Sequence, residues 1–273
     1  MATLIDSPAT RTRHPLWSGA VRLMRSEARD AGANMALDEA MLLTAADDGE
    51  TLVRLYQWAH PSVSFGRNQR TAGVYDVKHC EAGGVPAVRR LTGGRALLHA
   101  REVTYAVAAP DSAATTLRGG YEAINDVLLS ALHSLGIPAT RAAPASRTPS
   151  PGLAPCFETP SVGELVVHGR KLVGSAQHRG ARAFLQHGSI LLDDDQGILN
   201  DLALVPLPFV PPPATLKRLR PDITPTTLMD AIVDAVRAAA GGDIVVAEDT
   251  DIPRHHVEAA ATRYRDPRWT WRR

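Results

Sequence analysis

Three runs decide the fold of this chain: Cys-Phe-Glu (156–158), Gly-Arg-Lys-Leu-Val-Gly-Ser-Ala-Gln (169–177) and Leu-Gln-His-Gly-Ser-Ile-Leu-Leu (185–192). Apolar and β-branched residues dominate 164–168, 171–176 and 185–192, and this composition predicts three consecutive strands. The stretch 140–155, just before them, is rich in Ala, Pro and Ser and shows no periodicity. We therefore expect a mobile loop that leads directly into Cys156.

Outside these runs, helical and strand-like patterns are mixed without a regular β-α-β alternation. Apolar spacing predicts helices at about 31–46, 76–82, 121–135, 226–240 and 253–264. Strands are predicted at 53–58, 62–65 and 244–247, with two or three more between 88 and 107. The mixture favours an α+β fold, a mixed β-sheet with flanking helices, over a doubly wound sheet. Residues 1–15 are polar, and we expect them to be disordered.

Composition limits the function classes that remain. The chain has 273 residues, of which 44% are hydrophobic and 22% charged, as expected for one large globular domain with a full core or for a domain with a small appendage. A net charge of +1 favours neither nucleic acid nor a membrane as partner, although local arginine clusters could bind a phosphate or an acidic protein face. Two cysteines are too few for a disulfide framework, and no apolar run approaches the roughly 20 residues of a membrane span. These features predict a cytoplasmic protein with reduced thiols.

A thiol and an amine stand out as the candidate catalytic groups. Cys156 is one of two cysteines, and Lys171, fifteen positions later, is one of only three lysines among thirty basic residues. A thiolate is a strong nucleophile, and a buried lysine amine can act as a base or a charge partner. Together they indicate acyl transfer through a thioester. Taken singly, Cys156 could be a small buried hydrophobe and Lys171 an edge-strand lysine. Cys80 lies in a charged helix, and we predict no function for it.

A glycine-containing segment, Arg-Arg-Leu-Thr-Gly-Gly-Arg-Ala-Leu-Leu-His (89–99), has two interpretations. Paired glycines let a backbone approach a ligand while flanking arginines orient its polar end. The local sequence alone favours the other interpretation, a β-hairpin turn with solvated arginines. The segment lacks the lysine and Ser/Thr of a phosphate-binding P-loop. His187 alone could be a hydrogen-bonded core histidine, His255 and His256 are predicted at the surface, and no metal-ligand spacing is present.

Several ordered blocks resemble the biotin/lipoate protein ligase superfamily over nearly the whole chain. They are 34–40 (Asn-Met-Ala-Leu-Asp-Glu-Ala), 56–58 (Tyr-Gln-Trp), 61–66 (Pro-Ser-Val-Ser-Phe-Gly), 89–99, 169–177 and 186–189. The resemblance implies the superfamily's mixed sheet with flanking helices, which is also the architecture of class II aminoacyl-tRNA synthetases. It implies one catalytic domain over 16–273, with 213–273 as a C-terminal helical extension of that domain.

Two chemistries compete within the superfamily. Lipoate–protein ligases activate lipoate with ATP and carry three glycines where this chain has Gly93, Gly94 and Arg95. Octanoyltransferases take octanoate from octanoyl-acyl carrier protein onto a cysteine and pass it to a lysine of a lipoyl domain, such as glycine cleavage H protein or a 2-oxoacid dehydrogenase E2. One branch has its cysteine in a Cys-Phe-Glu setting like that of Cys156. Arg95 and Cys156 therefore favour the transferase, which needs no cofactor.

The resemblance also implies a set of site residues. Cys156 and Lys171 would be catalytic, and backbone N–H groups along 171–176 would stabilise the oxyanion. Acyl or substrate binding is expected at Arg90, Thr92, Gly93, Gly94, Arg95, His99, Gly174, Ser175, Ala176, His187 and Gly188. Two alternatives remain open: an ATP-dependent lipoate ligase in which Cys156 is incidental, and a non-catalytic module that presents or sequesters acylated carriers.

Overall fold

The computed structural model describes residues 13–111, 116–143 and 163–272. Its strands are β1 (Val21–Arg25), β2 (Thr51–Tyr56), β3 (Ser62–Phe65), β4 (Ala87–Arg89), β5 (Leu97–His99), β6 (Glu102–Pro110), β7 (Thr140–Arg141), β8 (Leu165–Val167), β9 (Arg170–Arg179), β10 (Ala183–Leu191) and β11 (Val245–Ala247). Its helices are α1 (Ala31–Asp48), α2 (Val77–Ala82), α3 (Leu117–Ser134), α4 (Ile198–Leu202), α5 (Leu216–Leu219), α6 (Pro225–Ala239), α7 (Arg254–Arg265) and α8 (Pro267–Thr270). Cys156, most of the predicted loop and nearly all of the predicted disordered N-terminus lie outside the described residues.

The strands form two sheets. The larger has the order β11-β1-β2-β6-β10-β9-β8-β7, and the smaller has the order β4-β3-β5. β11, β1 and β2 run parallel to one another, whereas pairing from β2 through β7 is antiparallel. This mixed sheet with helices packed on it confirms the α+β prediction. The paired strands β6, β10 and β9 form the centre on which the candidate site is built.

Strand alternation gives the large sheet two different buried faces. Along β6, Tyr105 and Val107 pack into the core formed with α3 and α6, whereas Ala106 and Ala108 pack into the core formed with α1. Helix α1 starts where the Asp30 side chain accepts from the Ala33 amide, and it packs between the sheet and α7. Side chains on neighbouring positions of one strand therefore belong to different environments, which decides how the predicted site residues are grouped.

Several element boundaries differ from the predictions. Strands β1 and β7 and the short helices α5 and α8 were not predicted, and β7 occupies the first two residues of the stretch 140–155 that we expected to be a loop. Helix α3 begins four residues before the predicted start, with Thr116 accepting from the Gly119 amide. Gly120 lies within this helix, and a Cβ added there would lie 2.8 Å from the Phe184 ring, so the position has room only for glycine. Within the described ranges, no helix is both long and apolar enough to cross a membrane.

The prediction that both adjacent histidines lie at the surface is half wrong. His255 is exposed, but His256 is buried. Its Nδ1 lies 3.0 Å from the Thr44 hydroxyl, and its Nε2 lies 3.2 Å from an Asp47 oxygen. Helix α7 packs on α1 through this side of its surface, and that packing is a tertiary contact that the local sequence does not show.

Candidate active site

The glycine segment is not a β-hairpin turn. Strand β3 lies between β4 and β5, so residues 90–96 cross the end of β3 to connect the two outer strands of the small sheet. Backbones approach closely at this crossing, because a Cβ added to Gly66 would lie 2.0 Å from the Gly94 carbonyl oxygen. Gly94 itself has φ +94°, a left-handed conformation that favours glycine. The close-approach interpretation therefore describes this loop.

Two of the segment's arginines, Arg89 and Arg90, are buried rather than solvated, whereas Arg95 is half-buried. The Arg90 guanidinium donates to the carbonyls of Ser64 (3.0 Å), Gly93 (2.9 Å) and Arg95 (2.8 Å). Arg89 likewise donates to the carbonyl of Gly66 (2.7 Å), as well as to those of Gln69 and Thr270. These guanidinium groups fix the glycine loop to the strand end beside it. Direct contact between Arg90 or Arg95 and a substrate stays a prediction.

Gly66→Ala is expected to lower the free energy of unfolding by about 1–3 kcal/mol, the usual cost of forcing extra volume into a packed site. The reason is the 2.0 Å approach to the Gly94 carbonyl, which must move to admit a methyl group. Gly93→Ala is the matched control in the same loop, because no atom lies within 4 Å of its added Cβ. Urea unfolding of both variants measures the difference. Equal stability of the two variants would contradict the packing argument.

His187 and Thr92 meet on the α1 side of the large sheet. His187 Nε2 lies 2.7 Å from the Thr92 hydroxyl, and Nδ1 lies 2.8 Å from Asp38 Oδ2. Asp38 also accepts from the Tyr56 hydroxyl (2.8 Å) and from Arg54 (3.1 Å). A carboxylate at Nδ1 favours the tautomer that carries its proton there, so Nε2 is left to accept from Thr92. This chain of hydrogen bonds ties α1, β10 and the glycine loop together.

Asp38 was not predicted as a site residue, although it lies in the 34–40 block that carried the family resemblance. Asp38 and Arg54 are both buried and form an ion pair. The signal that could have found it is its place in a helix that is mostly apolar, with Met35, Leu37 and Met41 close to it in the sequence. A buried carboxylate needs partners, and these partners come from β2 and β10.

His99 lies on the same side of the sheet, within a separate hydrogen-bonded cluster. Its Nε2 contacts the Ser64 hydroxyl at 2.7 Å, its Nδ1 contacts Glu102 at 2.8 Å, and its ring stacks on Trp58 at 3.8 Å. Burial lowers the pKa of His99 and outweighs the opposing effect of Glu102, so the ring is neutral at pH 7. His99 therefore supports the strand ends beside the glycine loop.

The remaining predicted substrate-binding residues pair across β9 and β10. Gly174, Ser175 and Ala176 lie opposite Ser189, Gly188 and His187. Because successive side chains alternate, Ala176 shares the α1 side with His187, whereas Ser175 points to the α3 side. There the Ser175 hydroxyl lies 2.7 Å from that of Tyr105, which also accepts from the Gln186 amide at 2.8 Å.

Gly188 is where these two strands and Tyr105 converge. A Cβ added to Gly188 would lie 2.4 Å from the Gly174 carbonyl oxygen and 2.8 Å from the Tyr105 ring. Tyr105 and Gln186 were not predicted as site residues, although Gln186 belongs to the block that carried the family resemblance. Their positions follow from cross-strand pairing, which single-sequence patterns do not give.

Lys171 lies on the α3 side as well, at the other end of β9. It is 3% exposed, and its Nζ donates to Glu164 at 2.8 Å. Burial raises the pKa of Tyr121 on α3, with Glu164 raising it further and Lys171 lowering it, so the three groups lie in one electrostatic environment. The structure thus separates the predicted residues into two groups: Lys171 and Ser175 on one side, and His187 and Thr92 on the other.

The Lys171–Glu164 pair adjoins both ends of the segment that contains Cys156. The Gly163 amide donates to the Ala142 carbonyl at 3.1 Å, and the Ala142 amide donates to the Glu164 carbonyl at 2.7 Å. Residues 144–162 therefore leave and rejoin the described structure at one place, next to Glu164. Within the described ranges, no group of three or more His, Cys, Asp or Glu side chains is arranged to hold a metal ion.

Comparisons with known proteins agree with this architecture. The family model of the lipoyl protein ligase A/B catalytic domain matches residues 30–237. The octanoyltransferase LipM of Kyrpidia tusciae is 35% identical over 92% of this chain and 98% of its own length. The octanoyltransferase LipM of Staphylococcus aureus is 32% identical over 90% of this chain and 96% of its own length.

Solved structures with the same fold are more distant in sequence. A lipoate-protein ligase A bound with ATP superimposes with a TM-score of 0.73 at 18% identity, over 93% of this chain and 99% of its own. The bipartite lipoate protein ligase of Thermoplasma acidophilum gives 0.71 at 18% identity, over 93% and 96% of the two chains. With the family model spanning most of the sequence and relatives aligned almost end to end, this chain belongs to the lipoyl protein ligase A/B catalytic domain family.

Proposed function

We propose that this chain is an octanoyltransferase of lipoate assembly, which moves octanoate from octanoyl-acyl carrier protein to a lysine of a lipoyl domain through a Cys156 thioester. The relatives named octanoyltransferase LipM cover nearly its full length. The observation that carries the proposal is the buried Lys171–Glu164 pair at the point where the Cys156 segment leaves and rejoins the fold. Cys156 lies seven positions before Gly163. An extended chain of that length spans about 24 Å, so Cys156 can reach the pair.

In the first step, the Cys156 thiolate attacks the thioester carbonyl of the donor. A carbon–sulfur bond to Cys156 forms as the bond to the carrier's sulfur breaks, and the carrier leaves as a thiol with the proton that Cys156 gave up. The developing oxyanion needs hydrogen-bond donors. Among the described residues, no further strand pairs with the outer edge of β9 beyond Val173. Alternate backbone N–H groups along that edge can therefore donate hydrogen bonds to the oxyanion.

In the second step, the amine of the acceptor lysine attacks the acyl-cysteine. A carbon–nitrogen bond forms, the carbon–sulfur bond breaks, and Cys156 is regenerated as a thiol after the amine has lost a proton. The thioester supplies the free energy for the amide, so no nucleotide is consumed. Lys171 as an ammonium group stabilises the thiolate and then gives its proton to the departing carrier sulfur, so in the second step it is an amine that accepts a proton from the incoming lysine. Glu164, in direct hydrogen-bond contact, is positioned to hold that proton.

Intact-mass analysis tests this reaction class. The purified protein mixed with octanoyl-acyl carrier protein, without ATP, is expected to gain one octanoyl unit, which hydroxylamine removes. Addition of a lipoyl domain should then transfer the group to that domain. Lipoylation that requires ATP and free lipoate, with no carrier-dependent transfer, would make the protein a ligase. Carrier binding without any transfer would instead favour a non-catalytic module.

A further inference from the structure

A cluster of arginines surrounds Trp269 on the α1 side of the protein. The Arg272 guanidinium stacks over the Trp269 ring at 3.8 Å, and that of Arg263 lies 4.6 Å from the same ring. Arg272 also donates to the Arg67 carbonyl at 2.7 Å, and the Arg67 guanidinium contacts His178 Nδ1 at 3.2 Å. We call these five residues, Arg67, His178, Arg263, Trp269 and Arg272, the arginine surface.

The arginine surface is strongly positive in a chain whose net charge is only +1. Of its three guanidinium groups, that of Arg263 pairs with the Glu39 carboxylate. Burial lowers the pKa of His178, and the charges of Arg67 and Arg263 lower it further, so the ring is neutral and acts as an acceptor. Arg272 is exposed, and the side chain of Arg263 is 40% exposed. Positive charge accessible in this way attracts an acidic partner.

The surface is continuous with the candidate site. The Arg67 amide donates to the Thr92 carbonyl at 2.8 Å, and Thr92 contacts His187 through its hydroxyl. His178 lies on β9, the strand that also carries Lys171. A partner bound to the arginine surface is thus connected to the reaction centre along a single strand.

The distance along β9 distinguishes the two protein substrates of the proposed reaction. From His178 to Lys171 is seven residues, or about 23 Å at strand spacing. The acceptor reacts through a lysine side chain, which cannot cover that distance, so its protein surface must lie directly over the reaction centre. An acyl carrier protein presents its acyl group on a long pantetheine arm, and such an arm can cover that distance.

The outer edge of β9 offers a path for such an arm. Within the part of the chain that the structure describes, no strand pairs with this edge between Gly174 and Arg179. Backbone N–H and C=O groups on an open strand edge bind extended amide-containing chains. The pantetheine arm contains two amides, so it can lie along the edge with its thioester directed towards Lys171.

We propose that the arginine surface docks the acidic face of the acyl carrier protein that donates the octanoyl group. This inference rests on the proposed function, since it concerns the donor of that reaction. The surface would set the affinity for the carrier and leave the chemical steps unchanged. Its effect should therefore fall on KM for the carrier and not on kcat.

The test is the double variant Arg67→Glu/Arg272→Glu, assayed with three donors: octanoyl-acyl carrier protein, octanoyl-phosphopantetheine and octanoyl-pantetheine. We expect KM for the carrier protein to rise about tenfold or more with kcat nearly unchanged, and to lose most of its salt dependence. The double variant should use both small donors as efficiently as the unaltered protein does. Arg67→Lys/Arg272→Lys should restore carrier binding, because it restores the charge.

Arg237→Glu is the matched control, since it reverses a half-exposed arginine on α6 that pairs with Asp234. It should leave KM unchanged. An unchanged KM for the carrier in the double variant would overturn the proposal. An equal rise in KM for octanoyl-phosphopantetheine would also overturn it, because the surface would then bind the phosphate of the arm. A raised KM for the lipoyl domain alone would assign it to the acceptor and also overturn it. Failure of the unaltered protein to transfer octanoate from any donor would instead count against the proposed function.

Discussion

Replacing Cys156 by alanine is expected to abolish both the octanoyl adduct and transfer to a lipoyl domain, a loss of at least about a thousandfold. Removing the nucleophile removes the covalent intermediate, and no other described thiol can replace it. The second cysteine, Cys80, is buried on α2, and burial, together with Asp76 and Glu81, raises the pKa of its thiol to about 11. It is therefore almost entirely protonated at neutral pH. Intact mass and steady-state transfer rates measure the two effects.

Cys80→Ala is the matched control and should keep both the adduct and the transfer rate. Brief alkylation with iodoacetamide at pH 7 gives an independent check, because Cys156 should react and Cys80 should not. An adduct on Cys80, or robust transfer by Cys156→Ala, would rule out the thioester route. In that case the ATP-dependent alternative would have to be tested with free lipoate.

The sequence was sufficient for the elements that have strong local patterns. Helix α1 and the strands β3, β9 and β10 lie where their periodicity and β-branched content predict them, and the family blocks gave the α+β fold. Boundaries were less accurate, as at α3, which begins four residues before its predicted start. The added turn contains Gly120, where the Phe184 ring occupies the space that a side chain would need.

The small sheet shows what local patterns cannot provide. Paired glycines between two strand-like runs indicate a hairpin, but β3 comes between β4 and β5, and nothing within 89–99 encodes that order. The same insertion buries Arg89 and Arg90, whose guanidinium groups then satisfy backbone carbonyls rather than solvent. A buried polar group must be paired, so burial changed the role of these arginines.

The site was predicted as one set of residues, and strand alternation divides it. Ser175 and Ala176 are neighbours in the sequence, yet they face opposite sides of the large sheet. Asp38, Tyr105 and Glu164 were missed because each belongs to the site only through contacts across elements: Asp38 with His187, Tyr105 with Ser175, and Glu164 with Lys171. Single-residue chemistry identified Lys171, but the tertiary structure supplied its partner.

Lys171→Arg is expected to lower the rate of transfer to the acceptor lysine by about 100-fold or more, the usual contribution of a general base. Arginine keeps the positive charge beside Glu164, which preserves the buried pair and hence the fold. It remains protonated near neutral pH, so it can stabilise a thiolate but cannot accept a proton from the incoming amine. Single-turnover measurements should therefore show acyl-Cys156 forming at a rate close to that of the unaltered protein and then persisting in the presence of a lipoyl domain.

Lys217→Arg is the matched control, since Lys217 is a largely exposed lysine that pairs with Asp193 and lies outside the candidate site. It should leave both steps unchanged. Circular dichroism and thermal unfolding of Lys171→Arg should match those of the unaltered protein, which separates lost chemistry from lost folding. If the variant turns over at nearly the normal rate, Lys171 is a structural partner of Glu164. If the rate of Cys156 acylation falls as much as the rate of transfer, the lysine positions other groups of the site in both steps and is not a base in the second.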